Sequence, residues 1–193
     1  MKRQYNKQIF AGDELKGENF INCSFTACRF VSASLRFSNF ENCSFNGCDL
    51  SGAILDISGF TNCTFKDSKL SNLDFSPCRL EKCDFSDSVL QNCTFQALKP
   101  GETHLQKTLD LRSCRFTSAD LERSVFAVCR LEKVSFAGAN LTEVIFEKCK
   151  LEETDFTQTK LSGANFDTSA MKNTILDLDG FLSYGASHGF VLP

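Results

Sequence analysis

Eleven cysteines in 193 residues are the side chains here best equipped for chemistry. Thiols that converge in space can ligate zinc, exchange disulfides or attack as nucleophiles. Their spacing argues for none of these. No Cys-x-x-Cys occurs, and the intervals are multiples of five within each of two stretches. The first holds Cys23, Cys28, Cys43, Cys48, Cys63, Cys78, Cys83 and Cys93; the second holds Cys114, Cys129 and Cys149. Zinc needs four ligands converging on one point, whereas this spacing gathers no such group. Disulfides are doubtful too, since cysteines at one position of a repeat have parallel side chains that are poorly placed to bridge. The residues therefore read as small buried hydrophobes, in a free-thiol count that suits a reducing cytoplasm. The two histidines, His104 and His188, lie in different irregular segments. No phosphate-binding Gly-rich loop or His-Glu-x-x-His is present, and the carboxylates are scattered. The sequence predicts no catalytic, cofactor-binding or metal-binding residue, no pocket, and a chain that is not an enzyme.

The cysteine spacing belongs to a wider period. From Leu15 to Phe95 every fifth residue is Leu or Phe. After a slip the series resumes at Leu111 and runs through Phe116, Leu121 and Phe126 to Met171, Leu176 and Phe181. Period five is neither the helical 3.6 nor the strand period of 2. Two residues before each centre sits a small residue, usually Cys, Ala, Ser or Thr, and all 11 cysteines occupy that position. Each pentapeptide thus points one large and one small side chain inward and three mostly polar ones outward. Segments also repeat at 20: Phe20-Ile21-Asn22-Cys23-Ser24-Phe25, Phe40-Glu41-Asn42-Cys43-Ser44-Phe45 and Phe60-Thr61-Asn62-Cys63-Thr64-Phe65. Residues 20 apart should lie one above another. Phe25, Phe45, Phe65 and Phe85 then form a core ladder, with Cys23, Cys43, Cys63 and Cys83 beside it.

Ala119-Asp120-Leu121, Ala139-Asn140-Leu141 and Ala164-Asn165-Phe166 carry the motif written A(D/N)LXX, and Cys43-Ser44-Phe45 carries it with Cys in the small site. The chain resembles the pentapeptide-repeat family over about residues 10–181. The resemblance implies an all-β fold: a right-handed quadrilateral parallel β-helix of about eight 20-residue coils, with one projecting loop and a short C-terminal helix or tail. At about 4.8 Å per coil the rod is about 38 Å long.

The organisation expected is a single domain, 1–193. Residues 1–14 form an N-terminal cap or partial coil, with Tyr5 and Phe10 on the grid. Residues 15–96 are a first array, 97–110 a loop insertion, 111–176 a second array, and 177–193 a cap and dimerisation tail. The insertion holds Leu98, Lys99, Pro100, Gly101, Glu102, Thr103, His104, Leu105, Gln106 and Lys107. It adds 11 residues to the grid and reads as a partner-binding loop, since loops on rigid scaffolds often carry function. In the tail, Asp179 is expected to cap a short helix from Gly180 to His188 that Gly189 ends. Phe181, Leu182, Tyr184, Phe190, Val191 and Leu192 are the expected dimer contacts, because an apolar tail seeks burial and two-fold pairing is the commonest solution.

Within the family, the chain is most similar to the Qnr quinolone-resistance proteins and the microcin and albicidin immunity proteins. Its ending Ser187-His188-Gly189-Phe190-Val191-Leu192-Pro193 looks like the Val-Leu-Pro ending of Qnr-type chains. This implies a homodimer that binds type II topoisomerase (DNA gyrase or topoisomerase IV) and protects it from a quinolone or peptide toxin, partly as a DNA mimic. The alternative is a generic interaction scaffold. Two features depart from the Qnr pattern. One insertion is seen where two are typical, and the net charge is only −3, although Glu132, Glu143, Glu147, Glu152, Glu153 and Asp155 cluster late. No apolar run is long enough to span a bilayer and no secretory signal is recognised. The expected protein is cytoplasmic and bacterial, with no direct contact to nucleic acid.

Overall fold

The computed structural model describes residues 3–30, 32–96, 108–187 and 189–191. In nearly every pentapeptide the second residue after the inward-facing centre has left-handed backbone: φ is 57° at Asn22, 53° at Asn42, 52° at Asn62 and 60° at Gly47. That single positive φ bends the chain so that the next centre again faces inward. Asn and Gly recur there because they enter this region most readily. Many corners are tied by a bond from the next small residue back to the centre carbonyl, as from Ser58 N–H to Leu55 O at 2.9 Å.

Strands between corners are two or three residues long. In chain order they are β1 (Gln4–Asn6), β2 (Asn19–Ile21), β3 (Ser24–Thr26), β4 (Asn39–Glu41), β5 (Ser44–Asn46), β6 (Gly59–Thr61), β7 (Arg79–Glu81), β8 (Thr94–Gln96), β9 (Leu109–Asp110), β10 (Val125–Ala127), β11 (Cys129–Arg130) and β12 (Ile145–Glu147), followed by the helix α1 (Leu178–Ser187). All pairings are parallel and one coil apart, with Phe20 over Phe40 and Phe25 over Phe45. They build four walls. The first stacks β1, β3 and β5 and continues through Thr64, Asp84 and Arg115. The second rises through Ile9, Arg29, Asp49, Lys69, Val89 and Asp120. The third holds β8, β10 and β12, and the fourth holds β2, β4, β6 and β7 and then, separately, β9 and β11. Across the 11-residue insertion the register is kept: Asp84 pairs with Arg115 and Phe95 with Phe126.

The core is the set of centres and small sites. Phe25, Phe45, Phe65, Phe85 and Phe116 form one continuous ring stack, with centroids 4.8, 5.1, 4.9 and 5.2 Å apart. Rings on the first and third walls, which face each other across the core, meet edge to face, as Phe85 and Phe75 do at 5.7 Å. The large rings thus make both contact geometries that aromatic quadrupoles favour. Tyr5 extends the stack downward, 4.7 Å from Phe25, and Phe10 lies 5.1 Å from Phe30. The fold is a parallel β-solenoid of about 7 turns with, among the described residues, one short helix. The count of about eight from the grid includes incomplete coils at both ends. Met171 is 46% exposed, and Phe181, though in phase with the grid, belongs to α1.

Candidate interaction surface

The cysteines first. Cys23, Cys43, Cys63 and Cys83 are buried, and all 11 cysteines are unbridged. Their thiols do more than fill space. Cys43, Cys63 and Cys83 point at the centre carbonyls of the preceding coil, Phe20 O, Phe40 O and Phe60 O, at 3.4, 3.4 and 3.3 Å. Ser68 Oγ donates to Phe45 O at 2.9 Å and Thr154 Oγ1 to Leu131 O at 2.8 Å in the same way. Cys, Ser and Thr thus share one position because each offers a small donor to a carbonyl that the corner leaves facing inward. Reading Cys as a hydrophobe alone missed this; the interchange with Ser was the available signal. Burial pushes the Cys48 thiol up to about 11 and the Cys78 and Cys93 thiols up to about 12. Such thiols are inert at neutral pH. Among the described residues no group of three or more His, Cys, Asp or Glu is placed to hold a metal ion.

One wall is interrupted. Among the described residues no backbone hydrogen bond joins β7 to β9, whereas on the next wall Phe85 N–H reaches Arg115 O at 2.9 Å and Arg115 N–H reaches Cys83 O at 3.0 Å. The gap is tied by Lys82 N–H to Ser113 Oγ at 2.9 Å. A cleft of about 710 Å³ opens there, lined by Ser76–Glu81 on one side and by Gln96, Thr108–Asp110, Arg112 and Ser113 on the other. This corrects the expectation that a filled solenoid offers no pocket. In sequence the insertion falls between the two turns of this wall, and Pro77, whose ring forbids positive φ, alters the corner just below it. Arg112 grips Asp110 through two bonds of 2.9 and 2.6 Å, and that guanidinium holds the Asp110 carboxyl below its ordinary range. The expected partner-binding loop, Leu98, Lys99, Pro100, Gly101, Glu102, Thr103, His104, Leu105, Gln106 and Lys107, lies outside the described residues.

The C-terminal end is the second feature. The helix begins at Leu178, not Gly180, and its cap is Asp177, not Asp179. Asp177 Oδ1 accepts from Gly180 N–H at 2.8 Å and Oδ2 from Gln158 N–H at 2.6 Å. Both bonds hold this carboxyl below its usual range. One residue therefore caps the helix and pins it to the coil beneath. Gly180 permits the close approach, since a Cβ there would sit 3.2 Å from Leu176 Cδ2 and 3.7 Å from Leu161 Cδ1. At the other end Gly189 is left-handed, with φ 82°, and donates to Ala186 O while Phe190 N–H reaches Gly185 O. This is the Schellman pattern, with Gly189 in the terminating role expected of it. Tyr184 packs on Phe166 with ring centroids 6.0 Å apart. Phe181 is 63% exposed and Val191 91%, Phe190 is exposed too, and an apolar hollow of about 810 Å³ runs between Phe181, Leu182, Tyr184 and Phe190. Leu192 and His188 lie outside the described residues. The tail also contains a nucleophile spacing that the sequence reading missed: Gly185, Ser187 and Gly189 fit G-x-S-x-G. That motif needs a strand-to-helix elbow. Ser187 instead ends a helix and donates to Tyr184 O at 2.7 Å.

Residues 38–109 and 109–178 match the description "Pentapeptide repeat region", and residues 19–56 match "Pentapeptide repeats (8 copies)". The chain belongs to the pentapeptide-repeat family. Comparison with curated proteins gave no significant match. Among solved structures it is similar to a trypsin-treated variant of QnrB1, described as a plasmid-mediated fluoroquinolone resistance protein, at 18% identity and a TM-score of 0.50 with 100% of both chains covered. Full-length QnrB1 matches at 19% identity and 0.41, over 96% of this chain and 99% of that one. HetL, a pentapeptide repeat protein from the cyanobacterium Nostoc sp. involved in heterocyst differentiation regulation, matches at 18% and 0.33, over 92% and 90%.

On this pentapeptide-repeat rod the late acidic residues are matched by bases. Glu132 pairs with Arg130 at 3.2 Å, Glu143 with Arg123 at 3.9 Å, Glu147 with Lys148 at 3.3 Å, Glu152 with Lys172 at 3.3 Å and Glu153 with Lys133 at 3.6 Å. Asp155 accepts from Ser135 at 3.3 Å. Such pairs, most of them exposed, add little stability, but they cancel the field that an uninterrupted acidic face would project. Among the described residues no helix is long and apolar enough to cross a membrane.

Proposed function

We propose that this protein is a non-catalytic, homodimeric binding rod that engages DNA gyrase or topoisomerase IV and protects it from a quinolone or peptide toxin. The observation that carries this reading is the interrupted wall. A solenoid closed by regular hydrogen bonds presents a repetitive surface. Among the described residues that surface is broken at this wall, by a cleft between the turns that the insertion separates in sequence. The likeness to QnrB1 along the whole rod supplies the class of partner. The apolar end formed by Leu178, Phe181, Phe190 and Val191 supplies the dimer contact, and two rods joined there place two clefts symmetrically about the junction. With five of its six late carboxylates ion-paired, the rod engages the enzyme through shape and local contacts more than through mimicry of a phosphate field. Eleven unbridged thiols suit a reducing, cytoplasmic compartment. The cancelled charge also favours the second reading, a scaffold for an unrelated protein. A gyrase supercoiling assay with a fluoroquinolone separates the two. Titrating in the folded protein restores supercoiling under the first reading, and deletion of residues 98–107 abolishes the rescue. Absence of both rescue and binding assigns the rod to another partner.

A further inference from the structure

Among the described residues, one corner of the rod alone carries large apolar residues in left-handed backbone. Phe37, Ile57 and Val128 have φ of 61°, 57° and 56°. All three lie on the corner after the third wall, one or more coils apart, in line with Pro77. The other three corners carry Asn, Asp, Gly, Ser, Ala, Lys, Arg, Gln or Glu at the same position. A β-branched residue such as Ile57 is a marked outlier there, because its Cβ substituents crowd the backbone. Packing does not account for the choice, since Phe37 is 51% exposed and Ile57 64%. Exposed Ile54 flanks the same corner on the third wall. The residues are thus unfavourable twice over, in backbone strain and in apolar surface left in water, and strain of this kind collects at functional sites.

The charge beside the ridge indicates what covers it. Arg79 follows Pro77 by two residues and lines the cleft mouth. Its guanidinium donates to Thr61 Oγ1 at 3.3 Å and has no carboxylate within ion-pair range among the described residues. Arg36, on the other flank, is already held by Asp56 at 2.8 Å. Phe37, Ile57 and Pro77 rise one coil at a time, about 4.8 Å per step. That is close to the roughly 5–6 Å between side chains at i and i+3 or i+4 on a helix, and shorter than the roughly 6.6 Å between same-face residues of a strand.

We infer that the corner ridge Phe37–Ile57–Pro77, with Arg79 beside it, is a docking surface for an amphipathic helix of a partner protein whose apolar stripe is flanked by a carboxylate. The helix lays its stripe along the ridge and its Asp or Glu pairs with Arg79. The inference rests on the rod being a protein-binding scaffold and not on the identity of its partner. The test is selection of a display library of helical peptides on the full-length chain, followed by affinity measurement on F37N/I57N and on R79E. The recovered peptides carry apolar residues at i, i+4 and i+7 beside an acidic one. Their affinity falls at least tenfold on F37N/I57N and severalfold on R79E, and a peptide with its acid replaced by Lys recovers affinity for R79E. Meanwhile the melting temperature of F37N/I57N equals or exceeds that of the wild type, because Asn relieves the left-handed strain; I57G serves if the pair misfolds. Recovery of no peptides, of peptides without acids, or of peptides that bind the variants unchanged overturns the inference. No topoisomerase enters the experiment, so its outcome and that of the supercoiling assay are independent.

Discussion

At the scale of the residue, the small inward position does two jobs, filling space beside a ring and donating to the carbonyl of the coil below. The Cys93 thiol reaches Leu70 O at 3.0 Å, and Ser124, one coil on, reaches Leu90 O at 2.6 Å. Burial raises the Cys93 thiol from 9.0 to about 12 and the Cys48 thiol to about 11. A raised acid favours folding in its protonated form, so this stability is fully present below about pH 9 and is lost as pH climbs through 11 to 12. Denaturant midpoints from pH 7 to 11 should be flat at first and then fall, with a shallower fall in Cys93→Ser. Equal slopes in the two proteins would show that this thiol is not linked to unfolding. The large position is less forgiving. Phe85 is fully buried between Phe65 and Phe116, so Phe85→Ala should remove about 3–5 kcal/mol of stability, read from urea unfolding. A loss below about 1 kcal/mol would mean that the stack collapses to fill the gap.

At the scale of the element, the coil was legible and its exceptions were not. Period five with Cys, Ser or Ala before Phe or Leu specifies which side chains face in, because in a narrow solenoid each inward position has one neighbour above and one below. Nothing in that pattern reports the backbone hydrogen bonds missing between β7 and β9, since the sequence shows an insertion's length but not which wall it opens. The helix start was misplaced for a related reason. Asp177 and Asp179 are equally good caps by residue type, and only contact with Gln158 in the coil below selects Asp177. The same docking leaves Phe181 and Phe190 facing outward from α1 and the segment after it. Sedimentation of the wild type should therefore give a dimer, and Phe181→Ser with Phe190→Ser a folded monomer of unchanged far-ultraviolet circular dichroism. A double variant that stays dimeric would move the interface away from this end.

At the scale of the whole molecule, a solenoid is held by contacts between successive coils, so its weakest plane is the one with the fewest. Three walls cross the seam opened by the insertion: Asp84 to Arg115, Val89 to Asp120 and Thr94 to Val125. The ring stacks also cross it, with Phe85 5.2 Å from Phe116 and Phe95 4.7 Å from Phe126. The fourth wall has, among the described residues, only the Lys82 to Ser113 bond. Three intact walls and unbroken stacks keep the arrays coupled, so unfolding should be one transition, with Phe45→Ala and Phe136→Ala each lowering the same midpoint. Hydrogen exchange should expose the seam itself. The amides of Leu80 and Asp110, whose counterparts Phe85 and Arg115 are bonded across the coil, should exchange at least tenfold faster than those counterparts, because an amide outside a ladder opens without breaking one. Deleting residues 98–107 removes nearly all of the insertion and lets β7 approach β9. The two amides should then slow toward the rate of the other walls while the midpoint holds or rises. Continued fast exchange in the deletion variant would place the cause of the open wall in Pro77 rather than in the insertion, and Pro77→Asn in the same background would be the variant that closes it.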